Sequence, residues 1–272
     1  VEFEKQSEYA KQLRQNILQD AIEGKLTTEW RKQNPVVQGN PDYDAEALFE
    51  LIQKEKKNDK KKKDLAPITD EEKPFEIPEG WKTLRLDDVF AHKTGKTLNA
   101  ATNKGSLLRK YITTSNLYWN SFDFENIKEM YFTEDEVEKY SVRNGDLLVC
   151  EGGDVGRSAI WNYDYSVCYQ NHIHRLRPHF PINLTFYYYI LYLYKLCGYI
   201  NSQAKGMGIQ GLSANRLSSF ILPLPPLAEQ TIIVNKVEFL LRKVTELENQ
   251  IQERKKLSEK LVFGVIKEKL EK

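Results

Sequence analysis

The sequence predicts an α+β fold: one globular mixed α/β domain, followed by a long C-terminal helix of coiled-coil type and preceded by a shorter N-terminal helix. Three observations support this prediction, namely short β-type runs in the middle of the chain, a proline-rich turn after them, and a helical hydrophobic stripe that continues to the C-terminus. The N-terminal helix is predicted at 1–26 and a lysine-rich linker at 27–76. The globular domain follows at 77–225, and the long helix at 226–272.

A proline-rich turn at residues 222–230 (LPLPPLAEQ) separates the domain from the long helix. Proline fixes φ and has no N–H group, so the chain is expected to be extended up to Pro225, with Pro226 near the first helical turn. The proline-free segment that follows would span roughly 65 Å as a helix. Its apolar stripe consists of Val237, Leu240, Val244, Leu247, Ile251, Leu257, Leu261 and Val265. Such a narrow stripe predicts a partner helix, and packing of this arm on its own domain is the alternative.

Other segments complete the predicted order of elements. Residues 4–25 keep a helical period, in which Leu13 and Ile17 are candidate contacts for a partner helix. The linker that follows contains a short predicted helix at 45–55 and a lysine run at 54–63, which is typical of a solvated tether and, as the alternative, of a DNA contact. Strands are expected at 82–86, 110–114, 147–150 and 158–161.

A weak internal repeat connects the two ends of the chain. Residues 13–26 align without a gap to residues 257–270, with four identities in 14 positions. Two amphipathic helices can share this many residues by chance. If the repeat is real, the N-terminal helix is a second copy of the end of the arm, which would matter for assembly.

The composition sets broad limits on the class of protein. The chain has 272 residues, of which 40% are hydrophobic, and a formal net charge of only +1. Cys150, Cys168 and Cys197 are odd in number and form no Cys-x-x-Cys pair, which predicts free thiols in a reducing cytosol and no zinc site. The apolar stretch 182–200 carries six tyrosines, so it is expected to be a buried helix rather than a membrane span. We therefore expect a cytoplasmic protein without a signal peptide.

Charges are unevenly distributed along the chain. No carboxylate occurs between Asp88 and Asp123 or between Asp164 and Glu229, whereas five basic residues lie in each of these stretches. A polyanion favours such segregation, because each phosphate that Lys or Arg neutralises releases counterions. The pattern predicts a DNA-binding face, and local clustering without a shared face is the alternative.

Polar side chains suited to reading base edges are interleaved with these cations. Asn and Gln can make two hydrogen bonds to adenine, and Arg or Lys can contact guanine. The candidate DNA-binding residues are Lys93, Lys96, Thr97, Asn99, Lys104, Ser115, Asn116, Arg157, Asn171, His172, Lys205, Gln210 and Arg216.

Three features suggest enzymatic chemistry, but each is incomplete. Residues 94–97 (TGKT) resemble the end of a phosphate loop, yet Phe90 stands where that motif requires glycine. Residues 206–211 have dinucleotide-type glycine spacing, but a polar segment rather than a strand precedes them. His172 and His174 have no carboxylate nearby in sequence to complete a metal or acid–base site. We expect no catalytic residue, no metal and no bound cofactor in this chain.

A series of short motifs carries a family resemblance. They are IPEGW at 77–81 with Leu84 and Leu86, TGKT at 94–97, GDLL at 145–148 followed by 153–157, Asn171 with RLRP at 175–178, and the proline turn at 222–230. Each motif is weak alone, but their order over nearly the whole chain resembles the DNA-specificity subunits of type I restriction–modification systems.

The resemblance implies two target-recognition domains separated by long antiparallel helices, each domain reading one half of an interrupted double-stranded DNA sequence. It also implies methyltransferase (modification) subunits that bind S-adenosylmethionine and methylate adenine, with restriction subunits, which use ATP and Mg²⁺, as further partners. Carried onto this sequence, 77–225 is one recognition domain and 226–272 is one spacer helix. Residues 1–26 then resemble the end of the other spacer helix.

The sequence holds one such domain where the family pattern has two. We therefore expect a half-subunit that forms a homodimer through its helices and prefers a palindromic split site. A coiled-coil scaffold whose globular head binds protein is the other interpretation. The two acid-free stretches favour DNA, because a protein-binding head has no reason to exclude carboxylates from them.

Overall fold

The computed structural model describes residues 2–56, 66–97, 106–204 and 211–270. Its helices are α1 Glu2–Ile22, α2 Thr28–Gln33, α3 Ala45–Lys56, α4 Leu86–Val89, α5 Glu134–Tyr140, α6 Leu184–Leu196, α7 Tyr199–Gln203, α8 Ala214–Ser218 and α9 Leu227–Leu270. Its strands are β1 Lys82–Arg85, β2 Phe90–Thr94, β3 Leu107–Ile112, β4 Leu117–Tyr118, β5 Ser121–Phe122, β6 Lys128–Phe132, β7 Ser141–Val142, β8 Asp146–Cys150, β9 Ser158–Trp161, β10 Val167–Tyr169, β11 Ile173–Pro178 and β12 Ile221–Leu224. The predicted α+β class, with its long C-terminal and shorter N-terminal helix, is confirmed.

Two four-stranded sheets form the centre of the globular domain. The first has the order β2-β11-β8-β9 and is antiparallel, whereas the second has the order β6-β3-β10-β7 and pairs β10 with β3 in parallel. Trp161, Tyr169 and Ile112 are fully buried in a core that joins residues of both sheets. A rigid two-sheet unit thus supports the loops at the strand ends.

Strand β8 shows why the first sheet is covered on both faces. Successive side chains of a strand point to opposite faces, and all five residues of β8 are buried. Leu147 and Val149 belong to the larger core, which lies under α6, whereas Leu148 and Cys150 belong to the core shared with the second sheet. A near-continuous apolar strand is the expected sequence for such a doubly covered position.

The proline turn connects this domain to the arm. β12 pairs antiparallel with β1, which brings both ends of the domain together. Helix α9 begins directly after Pro226, and its first two amides donate to loop carbonyls, Leu227 N to Pro41 O at 3.0 Å and Ala228 N to Asp42 O at 3.2 Å. These bonds satisfy N–H groups that a helix leaves without an internal partner.

Helix α1 packs along α9, and its first turn lies beside residues 255–266 near the end of the arm. Ala10 and Ile17 of α1 share a small buried cluster with Val244, and Arg14 pairs with Glu248 at an Nη2–Oε2 distance of 2.7 Å. The chain's own N-terminal helix therefore occupies this part of the stripe on the arm.

The candidate partner-helix residues consequently divide into two groups. Buried within this chain are Ile17, Val237, Val244 and Ile251, with Leu240 half-buried. Exposed are Leu13, Leu247, Leu257 and Leu261. The prediction that the whole stripe contacts another chain needs correction, because the first group is already packed on α1 or in the domain core. The side chain of Val265 lies outside the described residues.

Several element boundaries differ from the prediction. Helix α1 ends at Ile22 rather than at residue 25, because Gly24 has φ 70°, a left-handed conformation that ends a helix. Helix α2 lies in the segment interpreted as linker. Lys56 forms an ion pair with Asp88 at 2.8 Å, whereas the lysines at 57–63 lie outside the described residues. None of the helices described here is long and apolar enough to cross a membrane.

Candidate nucleic-acid interface

Six strand ends meet at one end of the two sheets. The C-terminal ends of β2, β3, β8 and β10 lie beside the N-terminal ends of β9 and β11. Backbone hydrogen bonds join the loops that follow: Gln170 N donates to Ile112 O at 3.0 Å, and Asn171 N donates to Lys96 O at 3.0 Å. We call this surface the rim and define it as residues 94–97, 113–116, 151–157, 170–172 and 211–213.

The rim brings together much of the predicted DNA-binding set. Its members are Lys96, Thr97, Ser115, Asn116, Arg157, Asn171 and His172. Lys93 lies beside it in β2, and Arg216 lies in α8, where its Nη1 donates to Gln203 O at 2.8 Å. Asn99, Lys104, Lys205 and Gln210 lie outside the described residues.

Lys96 does not have the environment of a phosphate contact. It is 4% exposed, and its Nζ donates to Glu136 at 2.6 Å and to Tyr131 O at 2.9 Å. The same ammonium lies 4.7 Å from the ring centroid of Phe132. Because its charge is compensated inside the fold, we correct the prediction: Lys96 ties the segment after β2 to β6 and α5 rather than facing a ligand.

Asn116 also has a structural role. Its Oδ1 accepts from Thr113 N at 2.9 Å, and its Nδ2 donates to Asp123 O at 3.0 Å, while the residue is 3% exposed. Such a side chain shapes the turn after β3, as Asn commonly does in loops. Asn116 is therefore removed from the residues expected to contact bases.

Arg157 points partly back into the protein. Its Nη2 donates to Thr114 O, and its guanidinium carbon lies 5.0 Å from the ring centroid of Tyr118. Thr97, Ser115 and His172, in contrast, are exposed. The solvent-facing part of the rim is thus mainly neutral and polar.

The acid-free stretches do not form an acid-free surface. Arg177 makes a two-point pair with buried Asp146, with both N–O distances 2.7 Å, and Lys195 pairs with Asp154 at 2.7 Å. Glu151 lies at the rim itself, 3.5 Å from Nδ1 of His172. Cations from the acid-free stretches therefore pair with carboxylates from the stretch between them. For these residues, local clustering of charge explains the sequence pattern better than a shared DNA-binding face does.

Close backbone approach holds the centre of the rim. A Cβ atom at Gly95 would lie 2.3 Å from the carbonyl oxygens of both Tyr169 and Gln170, which no side chain could accept. Lys96 N donates to Tyr169 O at 3.0 Å across the same contact. Glycine is thus required by the packing of β2 against the β10–β11 loop.

Histidine side chains that the sequence analysis did not select lie directly behind the rim. His174 is fully buried, with Nδ1 2.9 Å from Nε2 of His92 and Nε2 2.8 Å from Leu212 O. Burial lowers the pKa of His174, so its neutral form is favoured. The restriction of all four histidines to the acid-free stretches was the one sequence signal that could have identified them.

The site offers no obvious catalytic chemistry in the part of the chain that the structure describes. No group of three or more His, Cys, Asp or Glu residues there could hold a metal ion. Burial raises the pKa of the Cys150 thiol to about 11, so it stays protonated and is a poor nucleophile.

Comparison with known proteins identifies the family. Residues 78–255 match the family model for the type I restriction modification DNA specificity domain. The chain belongs to this family. The resemblance inferred from the motifs is therefore confirmed, and the sequence contains one such specificity domain. Membership agrees with the expectation of a specificity subunit rather than an enzyme.

Two curated relatives extend this match beyond the domain. The chain is 26% identical over 256 residues to the specificity subunit of the type I restriction enzyme EcoAI of Escherichia coli, and 25% identical over 264 residues to that of EcoEI from the same organism. These alignments cover 86% and 88% of this chain but 40% and 42% of the relatives. This specificity-domain chain therefore spans about two fifths of their length.

A solved structure shares the fold. A chain from a type I restriction–modification system, solved in work on complex assembly and conformational transition, has a TM-score of 0.50 and 20% identity. The alignment covers 80% of this chain and 54% of that chain. At this identity the likeness concerns the fold of the specificity domain and its helices.

Proposed function

We propose that this chain is the DNA-reading component of a type I restriction–modification complex and that the rim binds one half of a split double-stranded target. The supporting observation is the convergence of six strand ends, which brings the exposed residues Thr97, Ser115 and His172 and the half-buried Asn171 together on one surface. Loops held by a rigid sheet are the usual place for recognition residues.

The rim side chains that reach solvent, of which Asn171 is half-buried, suit reading of base edges. Hydroxyl groups of Thr97 and Ser115 can donate or accept, and the amide of Asn171 can make two hydrogen bonds to adenine. Because Lys96 and Arg157 are engaged within the fold, we assign the rim to base contact and expect phosphate contacts to come from cations beside it.

The recognised sequence can be found by selection from a random duplex library on the full chain, alone and with its methyltransferase subunit. We expect enrichment of one sequence, and we expect Asn171→Ala to relax preference at one position by about 1–3 kcal/mol. Asn126→Ala is the matched control, since Asn126 is exposed and lies outside the rim. No enrichment under either condition would contradict the proposal.

Assembly with other subunits belongs to the same proposal. Methyltransferase subunits would supply S-adenosylmethionine and the methyl transfer to adenine, and restriction subunits would supply ATP-dependent and Mg²⁺-dependent steps. We expect the complex to act in the cytoplasm. The support is membership in the specificity-domain family together with the arm, which extends about 65 Å and offers a long docking surface.

We also propose that two chains pair through the ends of their arms. Leu257 and Leu261 are 60% and 71% exposed near the end of α9, on a face that the first turn of α1 leaves open, because that turn borders Phe263 and Ile266 instead. Residues four apart lie on one face of a helix, and exposed apolar side chains on that face favour association in water. Because α1 already lies along another face of the arm, the dimer would keep both N-terminal helices in place and pair the tails.

Light scattering on the full chain tests this pairing. At tens of micromolar we expect a dimer, and we expect the double variant Leu257→Glu, Leu261→Glu to be a monomer, because the charges would be buried at the contact. Phe239→Glu is the control, since Phe239 is 55% exposed on α9 but lies nearer the domain. A monomeric wild-type chain, or a dimer that the double variant leaves intact, would refute tail pairing.

A further inference from the structure

A chain of side-chain hydrogen bonds runs behind the rim. Oγ of Ser218 lies 2.9 Å from Nδ1 of His92, Nε2 of His92 lies 2.9 Å from Nδ1 of His174, and Nε2 of His174 lies 2.8 Å from Leu212 O. These hydrogen bonds connect side chains of α8, β2 and β11 to the backbone just before α8. We call these three side chains and the Leu212 carbonyl the relay.

The Leu212 carbonyl at the end of the relay determines which atom donates and which accepts in each of its hydrogen bonds. A carbonyl oxygen only accepts, so Nε2 of His174 must carry a proton and donate to Leu212 O. In the neutral imidazole, Nδ1 of His174 then accepts from Nε2–H of His92, whose Nδ1 accepts from the Ser218 hydroxyl. The geometry therefore defines one arrangement in which both histidines are neutral and all ring nitrogens are bonded.

The relay ends on a rim residue that is held from both sides. Leu212 is fully buried; its N–H donates to Glu151 O at 2.8 Å, while its carbonyl accepts from His174. The carboxylate of Glu151 lies beside the exposed ring of His172, and Glu151 N donates to His172 O at 2.9 Å. A change in the relay would therefore displace the part of the rim that contains Leu212, Glu151 and His172.

We infer that His92 and His174 are positioning residues of the rim, holding Leu212 against Glu151 in the neutral state and releasing it when the relay takes up a proton. This inference rests on the proposed function, in which the rim reads DNA. The histidines do not touch DNA and act through Leu212.

The sign of the pH dependence follows from burial. Burial lowers the pKa of His174 below the ordinary value of about 6.5; the Leu212 carbonyl and Glu151 raise it, and His172 lowers it further. An added proton on Nδ1 of His174 would face the N–H of His92 and force the relay to reverse. The neutral relay therefore stabilises the rim fully above about pH 6.5. This stabilisation is lost as the pH falls towards the lower pKa that His174 has in the folded protein.

The test combines imidazole NMR with DNA binding on the full chain. Long-range ¹⁵N spectra at pH 7.5 should show His92 and His174 as neutral Nε2–H tautomers. The DNA probe is the duplex recovered by selection at pH 7.5, and affinity is measured from pH 8 downwards. We expect wild-type affinity to fall about tenfold per pH unit once His174 titrates.

Three variants separate positioning from folding. His174→Gln keeps an N–H donor for Leu212 O and does not titrate, so it should bind at pH 7.5 and lose the steep pH dependence. His174→Leu has no donor and should bind weakly at every pH. His179→Gln is the control, because it makes the same substitution at the far end of β11, and it should retain the wild-type profile.

Two results would overturn the inference: a wild-type pH profile in His174→Gln, or wild-type affinity in His174→Leu at pH 7.5. Failure of the proposed function would look different, since selection would enrich no duplex for any variant. The NMR spectra then still decide the relay, because a protonated His174 or an Nδ1–H tautomer at pH 7.5 contradicts the assigned directions.

Discussion

Glu229→Ala is expected to destabilise the protein by about 3–5 kcal/mol, the range for removing one partner of a buried ion pair. Glu229 lies in the first turn of α9 and is 1% exposed. One carboxylate oxygen accepts from Oγ1 of Thr27 and Nη1 of Arg31, each at 2.6 Å, and the other accepts from Nε1 of Trp81 at 2.7 Å. Three donors from two separate parts of the chain, the start of α2 and the residue before β1, thus converge on this single side chain.

The expected loss is large because alanine removes an acceptor from each of the three donors; Oγ1 of Thr27 keeps the longer bond to Gly24 O at 3.3 Å, and Nη1 of Arg31 keeps the one to Oγ1 of Thr27 at 3.0 Å. Thr27 is fully buried, Trp81 is 7% exposed, and the Arg31 side chain is 22% exposed, so water can replace the carboxylate only in part. Glu229→Gln should also destabilise the protein, because the amide replaces one acceptor oxygen with an N–H donor. The joint between the arm, the N-terminal segment and the domain would loosen in both variants.

Chemical denaturation followed by circular dichroism measures this effect. Glu246→Ala is the matched control: Glu246 lies on the same helix and pairs with Lys243 at 2.8 Å, but its side chain is 51% exposed. Exposed pairs contribute about 0–1 kcal/mol, so this variant should unfold close to the wild type. Similar unfolding free energies for both variants would show that the buried Glu229 network contributes no more to stability than an exposed ion pair does.

The arm illustrates what the sequence could predict. Proline at 225 and 226 marked the start of α9, and the apolar spacing marked its buried face, since both depend on local chemistry. Which helix covers that face was not predictable, because α1 is amphipathic as well and any such helix can fit a narrow stripe. The packing of Ile17 on Val244 depends on the position of Gly24, which turns the chain after α1.

The candidate site shows a second limit. Residue type predicted Thr97, Asn171 and His172, and the strand ends do bring these residues together. Lys96 was misinterpreted because its partner, Glu136, is 40 residues away and reaches it only through strand pairing. Contacts of this kind depend on register between distant strands, so a pattern of charges along the chain cannot reveal them.

Gly95→Ala is expected to distort the rim and to destabilise the protein by about 3 kcal/mol or more, the upper part of the range for overpacking. The added Cβ would lie 2.3 Å from two backbone carbonyl oxygens, those of Tyr169 and Gln170. Neither oxygen can move alone, because Tyr169 O accepts from Lys96 N and Gln170 O accepts from Ile173 N, both at 3.0 Å. The clash therefore separates β2 from the β10–β11 loop, and with it the parts of the rim that carry Thr97 and Asn171.

This displacement predicts a loss of DNA binding larger than the loss of stability alone would produce. Denaturation and fluorescence anisotropy with the selected duplex, at a temperature where the variant is folded, measure the two effects separately. Gly152→Ala is the control, since Gly152 also lies in the rim but has no atom within 4 Å of an added Cβ. It should keep both stability and binding. If Gly95→Ala matched Gly152→Ala in binding while losing stability, the close contact at Gly95 would serve folding only, and base reading would have to come from another part of the rim.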